Sequence, residues 1–271
     1  MEASMTLPEW LDDYIFNKLG AKYCQSNTDM TVIDWDKRDV LNYLGTYFPR
    51  SYTEAYCIFN EYFKNHTSEF SSKEELSIFD FGCGTGGEII GLLTVLNERF
   101  PNLKKVKIVA LDGNRHALQQ YEKVLSEFNK IPKFDIHNHI AHICIDDFYD
   151  LSILDSVIKN KFDIILSFKA ICEFVTKQQF EKKNAYEHIG SFLLPKLTDN
   201  GLMLFVDITT YSDTSKEWLP IMMDKGLRAA HCTIVKKNEG YNQTYKITHS
   251  HKQNDTSKVA WRMIKRDNYE I

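Results

Sequence analysis

Residues Phe79-Asp-Phe-Gly-Cys-Gly-Thr-Gly-Gly-Glu-Ile-Ile90, FDFGCGTGGEII, set four glycines within six positions directly behind a short apolar run. The run LSIFDF (76–81) reads as a strand and the residues behind the glycines as a helix over about 87–100. At a strand-to-helix turn, glycines let the backbone bend sharply and bring a ligand against main-chain N–H groups. The helix N-terminus adds unpaired donors and partial positive charge. A nucleotide-like ligand is the expectation.

Working outward, apolar strands alternate with helical stretches. LSIFDF is followed by KIVALD (107–112), HICI (142–145), FDIILS (162–167) and LMLFVDI (202–208), with helical patterns at about 114–129, 151–159 and 178–197. Short, nearly unbroken apolar strands joined by helices imply a parallel sheet covered on both faces. After a helix at about 214–227, HCTIVKK (231–237) and KVAWRMIKR (258–266) have no helix between them and must run antiparallel. The expectation is a doubly wound α/β fold whose mostly parallel, seven-stranded sheet ends in an antiparallel hairpin, with a polar insertion at 238–257. Residues 1–75 read as a helical, aromatic N-terminal cap on an α/β domain over 76–271. In SYTEAYCIFNEYF (51–63), Tyr52, Ala55, Tyr56, Phe59, Tyr62 and Phe63 fall on one helical face.

Composition fits such a chain: of 271 residues, 43% are hydrophobic and 26% charged, and twelve glycines with six prolines exclude fibrous and disordered classes. The six cysteines stand singly, without a CxxC pair, and HNHIAH (137–142) has no helical ligand spacing, so neither disulfides nor a metal is expected. The N-terminus lacks a basic, then apolar, leader, and no run of about 18 apolar residues occurs. A cytoplasmic chain without a membrane span is expected. The net charge of −4 conceals a basic stretch: residues 231–266 carry eight Lys/Arg against two acids. It is either a solvated edge hairpin or a docking surface for an anionic partner such as RNA.

Gly82, Gly84 and Gly87 also satisfy the dinucleotide pattern G-x-G-x-x-G, and Asp112 closes the second strand where a ribose-binding acid belongs. Three features tell against a dinucleotide. Asp80, two residues before Gly82, would repel a pyrophosphate and favour an ammonium. Asp146 and Asp147 follow the third strand, placed to accept from an exocyclic adenine amine. The chain ends in a hairpin. In this order and spacing, FDFGCGTGG (79–87), VALDGN (109–114), CIDDF (144–148), FDIILSFKAICEF (162–174) and LLPKLTDNGLMLF (193–205) resemble the class I S-adenosylmethionine (SAM)-dependent methyltransferases, over roughly residues 46–266. The resemblance implies a Rossmann-like domain with SAM as cofactor. It places Asp80, Gly82, Cys83, Gly84 and Gly86 on the methionine part, Asp112, Gly113 and Asn114 on the ribose, and Asp146 with Asp147 or Phe148 on the adenine. Ser167 and Phe168 would face the transferred methyl, and Arg50 would pair with the SAM carboxylate.

Methyl transfer needs alignment and exclusion of water more than it needs an acid or base. Lys169 and Glu173, at and after the end of the fourth strand, are the candidate catalytic residues; Lys169 would orient an anionic acceptor or act as base, or else only cap the next helix. The motifs of amino-group DNA methyltransferases and the Pro-Cys nucleophile of pyrimidine C5 enzymes are absent. A small molecule is the expected acceptor. An RNA or ribosomal acceptor, and a non-catalytic SAM-binding subunit, stay open as alternatives.

Overall fold

In a computed structural model, which describes residues 3–24, 35–174, 183–209 and 219–266 (without the side chains of 173 and 174), the alternation begins at residue 75. Before it come β1 (Ala3–Thr6), α1 (Glu9–Asp12) continuing into a wider turn over Asp13–Lys18, α2 (Lys37–Thr46) and α3 (Phe48–His66). Asp36 fixes the start of α2: its carboxylate accepts from Arg38 N at 2.7 Å and Asp39 N at 2.9 Å, and the Asp39 carboxylate accepts from Asp36 N at 3.4 Å. α3 opens with Pro49, whose missing N–H costs nothing in a first turn, and buries Tyr52, Ala55, Phe59, Tyr62 and Phe63 as their spacing requires.

The alternation runs β2 (Glu75–Phe81), α4 (Gly87–Arg99), β3 (Lys105–Asp112), α5 (Arg115–Phe128), β4 (Asp135–His142), β5 (Phe162–Phe168), α6 (Ile171–Phe174), α7 (Ala185–Leu193), β6 (Leu197–Ile208), α8 (Leu219–Ala229), β7 (Cys232–Lys237), β8 (Gln243–His249) and β9 (Lys252–Arg266). Hydrogen bonding joins the strands in the order β1-β8-β9-β6-β5-β2-β3-β4, with β7 also on β9. β2/β5, β5/β6 and β3/β4 are parallel; β9 runs antiparallel to both β6 and β7.

The sheet has nine strands rather than seven. Four-residue β1 is too short to signal itself. β8, which pairs in parallel with β1, lies in the stretch read as a polar insertion, although Tyr245, Ile247 and His249 alternate inward. The third strand of the alternation, expected at 142–145, runs over 135–142: at the sheet's edge it stays mostly exposed and lacks an apolar signature. HNHIAH therefore lies on a strand. A five-residue 3₁₀ stretch, Ser152–Ser156, replaces the helix expected at 151–159. The first residues of the helices expected at 178–197 and 214–227 lie outside the described residues.

The chain packs as two units. One holds Met1–Glu75, Cys83–Cys144 and Thr244–Ser257; the other holds Leu76–Gly82, Ile145–Gln243 and Lys258–Ile271. In the first, α3 and α4 meet so closely that a Cβ on Gly91 would lie 2.5 Å from Tyr52 O and 3.1 Å from the Ala55 Cβ. Phe63, Phe70 and Phe100 meet edge-to-face beside this seam, with Phe63 5.0 Å from Phe100. In the second unit β5 is buried along its whole length between β2 and β6. Asp163 ties the amino ends of these three strands, accepting from Ser77 N and Oγ at 2.9 Å each and from Thr198 Oγ1 at 3.2 Å.

Candidate functional site

In the first unit the glycine turn is bonded back onto the end of β3. Cys83 N donates to Leu111 O at 2.9 Å, and Gly84 N to Asp112 Oδ2 at 2.7 Å. Asp112 Oδ1 accepts from Asn114 N at 2.7 Å. Asn114 in turn caps α5, its Oδ1 accepting from Ala117 N at 2.9 Å, while its amide donates to Trp35 O at 3.1 Å. Asp112 thus holds the turn, the strand end and the next helix in one arrangement. A carboxylate accepts about four hydrogen bonds, so Asp112 keeps some acceptor capacity beyond these N–H groups. Burial pushes the Asp112 carboxyl above its ordinary range, opposed by the N–H groups of Asn114, Gly84 and Gly113 and by His142. Gly86 closes the turn through its N–H to Cys83 O at 2.7 Å and stands at φ 81°. A side chain there would be strained and would strike the Tyr121 ring.

Aromatic residues of the N-terminal stretch line this turn. A Cβ on Gly84 would be 3.3 Å from Tyr43 Oη. Trp35 meets Tyr43 edge-on at 5.1 Å, and Tyr47 stacks on Tyr43 at 4.9 Å. Arg50 lies over Tyr47, 5.3 Å from its centroid. Arg50, expected to face a ligand carboxylate, has its fork on buried Asp255, at 2.7 and 2.8 Å, and Tyr23 Oη donates to the same carboxylate at 3.1 Å. A fork satisfied on both prongs by a protein carboxylate is not poised for another.

In the second unit, Asp80 is completely buried and Gly82 follows β2 at φ 75°. Ser167 and Phe168 are buried at the end of β5, and Ser167 Oγ has no hydrogen-bond partner among the described residues. Lys169 follows in the left-handed region, φ 57°, its N–H donating to Val206 O at 2.7 Å. The side chain of Glu173 lies outside the described residues. Asp146 and Asp147 are exposed, and Asp147 Oδ1 accepts from Tyr149 N at 2.9 Å. Phe148 is buried against Phe81, Tyr149 and His188.

One constellation was missed. Asp207, 1% exposed at the end of β6, accepts from Tyr186 Oη at 2.9 Å and from Ile208 N at 2.8 Å. It sits one residue beyond the register pair Phe168–Val206, level with Lys169 on the adjacent parallel strand end. Burial raises the carboxyl of Asp207, and burial with the Asp207 charge raises the Tyr186 phenol further. The signal is in the sequence: LMLFVDI carries an acid one residue before its end, as LSIFDF does, and KIVALD ends on one. Among the described residues no three His, Cys, Asp or Glu side chains group to hold a metal ion, and no helix is long and apolar enough to cross a membrane.

A mostly parallel sheet with an antiparallel edge, covered by helices, is a Rossmann-like fold, the one that solved SAM-dependent methyltransferases share with this chain. Among solved structures, the magnesium protoporphyrin IX methyltransferase of Synechocystis PCC 6803 with bound SAM superposes with a TM-score of 0.51 at 11% identity, covering 97% of this chain and 99% of that one. The same enzyme with bound SAH gives 0.50 at 10% identity over 95% and 93%. A SAM-dependent methyltransferase from Clostridium acetobutylicum ATCC 824 gives 0.46 at 12% over 78% and 92%. No protein-family model and no curated protein sequence matches the chain. At these identities the likeness is one of fold.

Proposed function

We propose that this chain is a SAM-dependent methyltransferase acting on a small molecule. The observation that carries the reading is the Asp112 hub, a buried acid at a strand end with acceptor capacity left over, bonded to a bare glycine turn. Acids around such a turn favour a positively charged nucleoside over a diphosphate. In the first unit, Asp112 with Gly84, Gly113 and Asn114 would hold the ribose. Within the second unit, the sequence resemblance assigns Asp80 and Gly82 to the ammonium end and Asp146 or Asp147 to the adenine amine. The buried, unpartnered Ser167 Oγ fits a group that accepts or donates one hydrogen bond.

SAM, when bound, supplies an electrophilic methyl on a cationic sulfur. The protein's part is to align the acceptor and exclude water. Lys169, its backbone pinned by Val206, would orient an anionic acceptor, and the Asp207–Tyr186 pair would hold the neighbouring strand end in place. An RNA acceptor has less support, because the basic C-terminal stretch is partly spent internally. Arg262 and Lys237 both pair with Asp224, and Arg266 with Asp199 at 3.2 Å.

Calorimetry with S-adenosylhomocysteine and with NAD tests the cofactor. Heat from the first and none from the second is expected, and the reverse would overturn the reading. Tritiated methyl transfer from SAM into size-fractionated extract tests the acceptor: label is expected in the small-molecule fraction, and label confined to RNA or protein would refute that part.

A further inference from the structure

The first unit contains a cavity of about 530 Å³ lined by Lys22, Asp36, Lys37, Arg38, Leu41, Asn42 and His116, which come from the segment before α2, from α2 itself and from the first turn of α5. We propose that this cavity binds a small polyanion, a molecule presenting two or more phosphate or carboxylate groups. Three permanent cations face it against one acid, in a chain whose net charge is −4. None of the three makes an ion pair with a carboxylate among the described residues. Other lysines of the same unit do: Lys64 with Glu61, Lys104 with Glu74, Lys107 with Glu75 and Lys130 with Glu127. The one acid in the wall, Asp36, caps α2 through the backbone N–H groups of Asp39 and Arg38, which together with the Arg38 charge hold its carboxyl below its ordinary value.

The wall is built rather than incidental. Lys22 N donates to Leu41 O at 3.1 Å, and its backbone runs so close to Gly45 that a side chain there would collide with it. Thr46 Oγ1 accepts from Cys24 N at 2.9 Å and donates to Cys24 O at 3.1 Å. The strand of chain bearing Lys22 is thereby fastened along α2, whose first turn bears Lys37 and Arg38. Gathering like charges raises the energy of the empty site, and a bound anion relieves that repulsion. Asn42 and His116 add directional hydrogen-bonding groups. The volume falls within the range of small-molecule sites. The inference stands apart from the methyltransferase reading, because it uses none of the residues assigned to SAM.

Calorimetric titration of the full chain at low salt with inorganic pyrophosphate, and separately with citrate, tests it. At least one of the two is expected to bind saturably at one equivalent. The Lys22→Gln/Lys37→Gln/Arg38→Gln variant is expected to bind it about tenfold more weakly, or worse, as loss of charge-assisted contacts implies. A Lys236→Gln/Lys265→Gln control should bind as the wild type does. Whichever anion binds more tightly identifies the head group as phosphate or carboxylate. Thermal melts and S-adenosylhomocysteine binding check that the triple variant is folded; if it is not, Arg38→Gln alone should weaken the anion several-fold. The proposal is overturned if neither anion saturates below about 10 mM, or if a folded variant binds as well as the wild type. It is also overturned if a single-stranded RNA oligonucleotide binds through these three side chains without displacement by either anion.

Discussion

A carboxylate buried at a strand end is costly unless the charge is compensated, and Asp112 and Asp207 meet that cost differently. Asp112 collects backbone N–H groups from two segments, so it organises a turn as well as presenting oxygens. Asp112→Ala should weaken S-adenosylhomocysteine binding by about 1 to 3 kcal/mol, the scale of hydrogen bonds to a charged partner. Unchanged affinity by calorimetry would remove this residue from the site. Asp207 instead sits opposite a phenol that is itself buried. Native Asp207 keeps its proton to higher pH than the unfolded chain does, so unfolding releases a proton as pH rises above the ordinary value of about 3.8, and stability falls. Asp207→Asn keeps an acceptor for Tyr186 and removes the titration. Its melting temperature should decline less than the wild type's between about pH 4 and the native pKa; parallel curves would contradict the assignment.

At the level of elements, the α3–α4 seam depends on the absence of a side chain. Gly91→Leu must push α3 off by more than the space available, because the nearest atom is the backbone oxygen of Tyr52. Overpacking of this kind costs about 1 to 3 kcal/mol, measurable as a shift of the urea midpoint at unchanged slope. The sequence revealed α3 because an amphipathic face has a period, and β2, β3 and β5 because buried parallel strands are apolar throughout. It concealed β4 and β8 for the opposite reason: a strand that is not buried carries polar residues that look like loop, and in β4 His137, Asn138 and His139 are all exposed. The glycine turn and Asp112 were legible from local spacing. The engagement of Arg50 by Asp255 was not, since the partners stand 205 residues apart. Tyr186 and Asp207 escaped notice because only the strand pairing and α7 bring them together.

Over the whole molecule, sequence order and packing disagree. The first unit draws on the beginning, the middle and a segment near the end of the chain, so residues 244–257 complete a body begun at the N-terminus. β8 pairs with β1, Asp255 holds Arg50 and Tyr23, Ser250 bonds Asp12, and Phe16 stacks on both His249 and His251, at 4.9 and 4.3 Å. A fragment of residues 76–271 would therefore strip the glycine-bearing face of α4 of α3 and leave Asp255 without the cation it is buried with. Removing one partner of a buried ion pair alone costs about 3 to 5 kcal/mol, a large part of the stability of an ordinary domain. The fragment should show no cooperative melt and should be cut rapidly by protease within 83–144 and 244–257. In the full chain, Asp255→Ala should lower the unfolding free energy by about the same 3 to 5 kcal/mol. A fragment that melts cooperatively and binds S-adenosylhomocysteine as the full chain does would mean that α2, α3 and the Arg50–Asp255 pair are dispensable to the body that carries Asp112.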